Sequence, residues 1–204
     1  MRKILVATSN PGKLAEISAM LNDDVEWVGL GDLPKVAEIK EDGATFAENA
    51  RKKALGYAKA TGLWTIADDS GLIVDSLGGQ PGVKSARFSG AKDKNRTLLD
   101  HKNMAKVLKL LEGVPKEKRT AKFICCLCLA SPGKILIETE GMLEGLIVDR
   151  EAGKNGFGYD PIFFVPSLNK TVAQLTTKEK NAISHRGSAL RKLKPFLEAL
   201  LKEA

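Results

Sequence analysis

Histidine occurs only twice in the 204 residues, and cysteine only three times. So small a supply leaves few candidates for a His-rich metal centre or a Ser-His-Asp triad. His101 falls in a polar helical stretch and reads as surface, whereas His185 sits beside Arg186 between two hydroxyls, in Ser184-His185-Arg186-Gly187-Ser188. The cysteines crowd into one apolar run, Phe123-Ile124-Cys125-Cys126-Leu127-Cys128-Leu129-Ala130. Neighbours on a strand face opposite ways, and no second Cys or His cluster completes a zinc site. They therefore read as small core residues, kept reduced in the cytosol. Aromatics make up only 5% of the chain, without the basic-aromatic alternation that single-strand binders use, and no helix-turn-helix, zinc-finger or RNA-recognition signature appears. No apolar run approaches the ~20 residues of a membrane span. Met1 to Ala7 holds too short an apolar run for a signal peptide and reads as a first strand. The expectation is a cytoplasmic protein with no membrane or nucleic-acid partner.

At 22.0 kDa the chain can bury one substantial core, or form two lobes around a cleft. Hydrophobic residues at 43% and charged residues at 28% are ordinary for a globular protein. The net charge of +7 has three readings: nucleic-acid binding, a Lys-rich solvated surface, or a cleft for a small polyanion. Charge alone does not choose among them.

Apolar runs alternate with helical periodicity from end to end, which predicts an α/β fold. Lys3 to Ala7 reads as a strand, followed by a helix with Leu14, Ile17 and Leu21 on one face. An Ala-rich helix spans Ala44 to Ala60. Trp64 to Ala67 is the next strand, broken by a Ser-Gly turn before Leu72 to Val74 continues the sheet. Ser76 to Ser89 is Gly-rich and reads as irregular. A helix over Asn95 to Glu112 turns Leu98, Ala105, Leu108 and Leu111 inward, and strands Ala121–Ala130 and Ile135–Val148 meet at a tight connection. A last helix over 188–203 has Leu190, Leu193, Leu197 and Leu200 inward, and Pro195 should kink or interrupt it. No repeat, low-complexity tract or linker appears, so residues 1–204 read as a single domain of two lobes.

Several segments can carry chemistry. In Ala67-Asp68-Asp69-Ser70-Gly71-Leu72 two adjacent carboxylates stand where an apolar strand ends, either as an Asp-rich turn or as a metal or catalytic site. Thr8-Ser9-Asn10-Pro11-Gly12-Lys13 joins a strand to a helix. Its residues suit a helix start, and a helix N-terminus with a nearby lysine also suits phosphate. The full Walker pattern is absent. Glu41-Asp42-Gly43-Ala44-Thr45-Phe46-Ala47-Glu48-Asn49-Ala50-Arg51-Lys52-Lys53 can cap a helix, or present Glu41 as an oxygen ligand for magnesium. Gly156-Phe157-Gly158-Tyr159-Asp160-Pro161 is either a buried bend or a nucleobase pocket with a ring to stack on. Lys178 to Ser188 is a charge run, ordinarily a solvated face, that nonetheless holds His185 and Arg186.

These segments, with Pro81-Gly82-Val83-Lys84-Ser85-Ala86-Arg87, occur in one order over nearly the whole chain. That ordered set resembles the inosine triphosphate pyrophosphatase family. The resemblance implies an elongated, two-lobed α/β fold with a central mixed β-sheet flanked by helices and an active-site cleft between the lobes. It implies a homodimer that hydrolyses inosine and xanthosine triphosphates, deoxy forms included, to monophosphate and pyrophosphate with Mg2+. It further implies that Thr8, Ser9, Asn10, Pro11, Gly12 and Lys13 hold the triphosphate, with Lys53 as another phosphate contact. Glu41 and Asp69 are implied as magnesium ligands, with Asp69 also the proton acceptor. Ser70, Phe157, Gly158, Tyr159, Asp160, Lys180, His185 and Arg186 are implied as substrate contacts. Asp68 matches the motif without a clear role; strand alternation would turn it away from Asp69 unless the turn bends both the same way.

Elementary chemistry agrees with that assignment. Lys13, Lys53, Lys180 and Arg186 offer countercharge to a magnesium-bound triphosphate, and a carboxylate base near the metal can activate water. A pocket with donors at the purine 6-position, from Arg186 or backbone N–H groups, would favour a 6-oxo base over adenine. Two other readings remain open: a house-cleaning pyrophosphatase for modified pyrimidine nucleotides, and a non-catalytic protein that binds nucleotides or nucleic acid.

Overall fold

A computed structural model describes residues 2–21, 25–34 and 36–203. Strand β1 (Arg2–Val6) runs parallel to β2 (Val25–Gly29), with Ile4 opposite Trp27, and parallel to β3 (Trp64–Val74), with Ile4 opposite Trp64. Consecutive buried Ile4, Leu5 and Val6 suit a strand covered on both faces. Helix α1 (Pro11–Met20) begins where the Asn10 side chain accepts the Gly12 N–H at 2.9 Å, with Pro11 in its first turn. Helix α2 (Phe46–Thr61) is capped by Thr45, whose hydroxyl accepts the Glu48 N–H at 3.2 Å. It stops at Gly62, whose φ of 74° is a left-handed conformation that favours glycine.

The remaining elements are α3 (Arg96–Leu110), β4 (Thr120–Ser131), β5 (Lys134–Ile147), β6 (Phe163–Val165), β7 (Lys170–Thr171), α4 (Thr177–Ile183) and α5 (His185–Glu203). The seven strands form one sheet in the order β2-β1-β3-β4-β5-β6-β7. Because β6 is antiparallel to both β5 and β7, the sheet is mixed, as expected.

The described residues divide into two compact units. The first comprises Met1–Asp69, Cys125–Gly141 and His185–Ala204, around Ile4, Val6, Ile17, Ile66, Leu127 and Leu193. Here the start of α5 lies against bare backbone of β5: a Cβ at Gly141 would run into the His185 carbonyl and the Ala189 amide. His185 and Arg186 lie in the first turn of α5 at this close approach. The second unit comprises Ser70–Ile124 and Met142–Ser184, around Leu72, Met104, Val107, Phe123, Tyr159 and Phe163, with the Phe123 and Phe163 rings stacked 4.3 Å apart.

Four expectations are corrected. No turn interrupts β3 at Ser70-Gly71; the strand continues through both aspartates, because each carboxylate has polar partners that make burial tolerable. The segment 76–89 is not irregular throughout: short 3-10 turns occupy Asp75–Leu77 and Gly82–Arg87, and Pro81 bridges to Ile73. Helix α5 starts three residues early and runs unbroken through Pro195, since buried Leu190, Leu193 and Leu197 hold it on both sides of the missing hydrogen bond.

The inward face of α3 holds at its end, where Leu111 is buried and Leu108 packs against the core, but differs from the predicted one before that. Asp100, Asn103, Met104 and Val107 are buried, while Ala105 is exposed and Leu98 is 45% exposed. Polar tasks explain the shift: Asn103 accepts the Ser89 N–H at 2.7 Å and donates to the Ala86 carbonyl at 3.3 Å. An apolar-only reading of periodicity cannot see them. Thermal or urea denaturation should therefore rank the two apolar positions clearly. Met104→Ala is expected to cost about 2–5 kcal/mol, and Leu98→Ala to stay within about 0.5 kcal/mol of wild type. Equal losses at both positions would contradict the observed face.

Candidate active site

In the first unit the β1–α1 loop folds on its own polar groups. Thr8 Oγ1 accepts the Asn10 N–H at 3.1 Å, and Asn10 Oδ1 takes the N–H groups of Gly12 and Lys13 at 2.9 and 3.4 Å. The expected phosphate-binding residues Thr8 to Lys13 are thus gathered at one helix start, with Ser9 exposed. Lys13 reaches out of the first turn of α1 to pair with Asp68.

Asp68 is the centre of a buried charge cluster. Arg186 Nε donates to its Oδ2 at 3.1 Å, and the Cys125 thiol lies 3.1 Å from the same oxygen. Arg186, itself 1% exposed, also binds Glu16 Oε2 through Nη1 at 2.5 Å. Burial pushes the Asp68 carboxyl up, but Arg186, Lys13 and Lys53 outweigh it and hold the group well below the usual carboxylate range. Burial and the Asp68 charge push the Cys125 thiol well up, so it stays protonated and can donate. Breaking such a buried pair from one side costs about 3–5 kcal/mol.

Asp69 meets a different set of groups, as alternation along a continuous strand requires. Asn49 Nδ2 donates to its Oδ2 at 2.9 Å, and Lys53 Nζ lies 4.0 Å from its Oδ1. Lys53 also donates to the Asp68 carbonyl at 2.7 Å and to Glu41 Oε2 at 3.0 Å. Burial outweighs the help of Lys53, Asn49 and Lys13, and Glu41 adds repulsion, so the Asp69 carboxyl is pushed up to about 6. Two neighbouring aspartates therefore have opposite characters. Asp68 is a permanent anion, whereas Asp69 can exchange a proton near neutrality.

Glu41 and Asp69 flank the same ammonium, so both already face one positive charge. Two carboxylates are a suitable protein contribution to magnesium, which completes its octahedron with water and phosphate oxygens rather than an all-protein cage. Among the described residues no group of three or more His, Cys, Asp or Glu gathers as a metal centre. The donor set fits an ion whose other ligands arrive with the substrate.

In the second unit, Ser70 follows the aspartates on β3, and two residues later the Leu72 N–H donates to Ser85 Oγ at 2.9 Å. The Tyr159 hydroxyl donates to the Ser85 carbonyl at 2.8 Å, so this predicted substrate residue is fixed by its own protein. Asp160 Oδ2 accepts the Phe157 N–H at 2.9 Å and the Lys180 ammonium at 2.8 Å. Lys180 Nζ in turn lies 4.4 Å from the centre of the Phe157 ring. The Gly158 N–H is held by Asp100 Oδ2 at 2.9 Å. Lys180 is placed by α4, whose start is closed by reciprocal bonds between Thr176 and Glu179.

Sequence reasoning passed over Glu16, Asn49, Asp100 and Cys125. Helical spacing offered a signal for two of them: Glu16 lies three residues after Lys13, and Asn49 four before Lys53, each pair sharing a helix face. Cys125 carried no polar signal, and its reading as an apolar filler is completed by its bond to Asp68.

Comparison with known proteins agrees with the resemblance over nearly the full length. The "dITP/XTP pyrophosphatase" of Shouchella clausii is 50% identical over 200 residues, covering 98% of each chain. That of Geobacter sulfurreducens is 50% identical over 198 residues, covering 97% of each. The solved structure of the Staphylococcus aureus Ham1 protein superposes with a TM-score of 0.85 at 39% identity, covering 97% of this chain and 99% of that one. The Ham1 family profile matches residues 4–196, and the chain belongs to the Ham1 family.

Proposed function

We propose that this protein hydrolyses noncanonical purine nucleoside triphosphates (those of inosine, deoxyinosine and xanthosine) to the monophosphate and pyrophosphate, with magnesium. The observation that carries the reading is Asp69 in β3, raised to about 6 beside Glu41 and Lys53, in a chain whose full-length relatives are named dITP/XTP pyrophosphatases. Glu41 and Asp69 are the proposed magnesium ligands, and when bound the ion supplies charge neutralisation at the phosphates and acidifies a coordinated water.

The chain's own residues do the rest. Thr8, Ser9, Asn10, Pro11, Gly12 and Lys13 hold the triphosphate at the start of α1, where the positive end of the helix dipole and the Lys13 ammonium favour anions. Lys53 adds a charge on the same phosphates. Asp69 accepts the proton of the water that attacks the α-phosphorus, and pyrophosphate departs. Positioning and electrostatics supply most of the rate, as is general for phosphoryl chemistry. Ser70, Phe157, Gly158, Asp160, Lys180, His185 and Arg186 are the remaining proposed substrate contacts, with Tyr159 serving by holding the Phe157–Asp160 loop. Lys180 is a donor suited to the 6-oxo group of hypoxanthine or xanthine, and it would face a second donor in adenine's 6-amino group.

Among the described residues no helix is long and apolar enough to cross a membrane. We take the protein to act in the cytoplasm as a homodimer, for which sedimentation should give twice the mass of one chain.

Pyrophosphate release tests the reaction directly. Inosine triphosphate with magnesium is expected to turn over well and ATP poorly, chelator to abolish activity, and Asp69→Asn to lose about 10²–10⁴-fold. Equal turnover of both nucleotides, or an active Asp69→Asn, would refute the assignment.

The Asp69 environment also predicts a stability profile. A carboxyl raised from 3.8 to about 6 on folding keeps a proton in the native state that the unfolded chain has released. Stability of the metal-free protein therefore falls as pH rises from about 4 to about 6, and the penalty is fully present above that window. Asp69→Asn carries no such penalty. It should be more stable than wild type by about 2–3 kcal/mol at pH 7 without metal. The difference should vanish below about pH 4. A constant difference across this range in denaturant melts would contradict the raised pKa.

A further inference from the structure

Asn49 is 2% exposed and commits both ends of its carboxamide to different segments. Nδ2 donates to Asp69 Oδ2 at 2.9 Å, and Oδ1 accepts the Gly43 N–H at 2.7 Å. A carboxamide is a stiff plane with donor and acceptor on separate corners. Gly43 is thereby tied to Asp69 through one rigid plate, and Gly43 lies two residues after Glu41. The closeness of the loop explains the glycine: a Cβ at Gly43 would stand 2.7 Å from Asn49 Oδ1 and 2.9 Å from Glu48 Cβ. The same loop is fastened again where the Ala44 N–H donates to Glu48 Oε2 at 2.8 Å.

These bonds decide which oxygen of Asp69 faces the other carboxylate. With Oδ2 engaged by the amide, Oδ1 is the atom turned toward Lys53 Nζ, at 4.0 Å, and that ammonium lies 3.0 Å from Glu41 Oε2. We propose that Asn49 is a positioning residue for the divalent ion, setting the spacing of Glu41 and Asp69 and presenting Oδ1 as the metal-facing oxygen. This rests on the reading above that Glu41 and Asp69 hold magnesium. Were Asn49 merely a satisfied buried amide, its loss would lower stability and leave metal affinity unchanged.

The test uses the full chain carrying Asn49→Ala or, separately, Gly43→Ala, which crowds the same amide from its other end. Mn2+ binding to the substrate-free protein is measured by electron paramagnetic resonance. The magnesium midpoint of pyrophosphate release, KM for inosine triphosphate at saturating magnesium, and melting temperature are measured beside it. Asn49→Ala is expected to weaken Mn2+ binding and raise the magnesium midpoint by roughly 10–100-fold, the scale of losing a partner that orients a metal ligand. KM at saturating magnesium should not change, and Gly43→Ala should shift the midpoint in the same direction by less. Unchanged metal affinity in folded Asn49→Ala, or in Gly43→Ala should the first variant not fold, overturns the proposal. A wild type that binds no Mn2+ overturns it too. A wild type that binds Mn2+ but releases no pyrophosphate would instead refute the proposed activity, and the variants' Mn2+ affinities would still decide the role of Asn49.

Discussion

A β-strand turns successive side chains to opposite faces, and β3 applies that rule to two adjacent carboxylates. Asp68 is turned into a closed set of donors: Arg186, Lys13 and the Cys125 thiol. Asp69 is turned toward Asn49, Lys53 and Glu41. The backbone joins the two environments directly, because Lys53, which faces Asp69, donates to the carbonyl of Asp68. The continuous strand therefore sets the registry between a firmly ionised carboxylate and one that can hold a proton near neutrality. A turn at this point would have left both aspartates with similar surroundings.

The two carboxylates illustrate how environment divides labour between identical side chains. Both are buried, so desolvation opposes ionisation of each. Around Asp68 the nearby cations more than offset that cost, and the cluster with Arg186 and Glu16 pins the first turns of α1 and α5 to the strand. Around Asp69 the compensation falls short, since the nearest cation is shared with Glu41 and with a backbone carbonyl. An under-compensated acid destabilises the fold and gains reactivity, the trade found where sites are built for chemistry rather than stability. Both states of Asp69 are accessible near neutral pH, which a base requires.

Much of this was legible in the residue order. Alternating apolar runs specified an α/β fold, the family resemblance implied its mixed sheet, and ordered motifs pointed to the site. Thr8 to Lys13 did fall at a capped helix start, and Glu41 and Asp69 did fall beside Lys53. Two of the misreadings share a cause: polar residues doing buried work. Asp68-Asp69-Ser70-Gly71 looked like a turn because composition cannot register Arg186, which pairs with Asp68 across 118 positions of sequence. The α3 face was read from leucines, while Asp100 and Asn103 held the inward positions through bonds to Gly158, Ser89 and Ala86. Pairings over such separations are tertiary facts, and only packing reveals them.

The paired state of the cations bears on how a polyanion would be received. Lys13 is paired with Asp68, Lys53 with Glu41, Lys180 with Asp160, and Arg186 with Asp68 and Glu16. The chain's +7 charge is thus not a reservoir of unmatched cations at the proposed contacts. On the proposed reading, a triphosphate arriving with magnesium brings both signs of charge. The dication can satisfy Glu41 and Asp69 while phosphate oxygens satisfy Lys53, so partners are exchanged rather than bare charges buried. Such an exchange avoids the several kcal/mol that an unpaired ion costs in a dry site. It also gives a physical reason for metal and nucleotide to bind together: phosphate alone would draw Lys53 from Glu41 and leave that carboxylate uncompensated beside Asp69. Asp68 can release Lys13 to the phosphates and still keep the Arg186 Nε–H bond, so the strand carrying both aspartates keeps its geometry while the charges around Asp69 change hands.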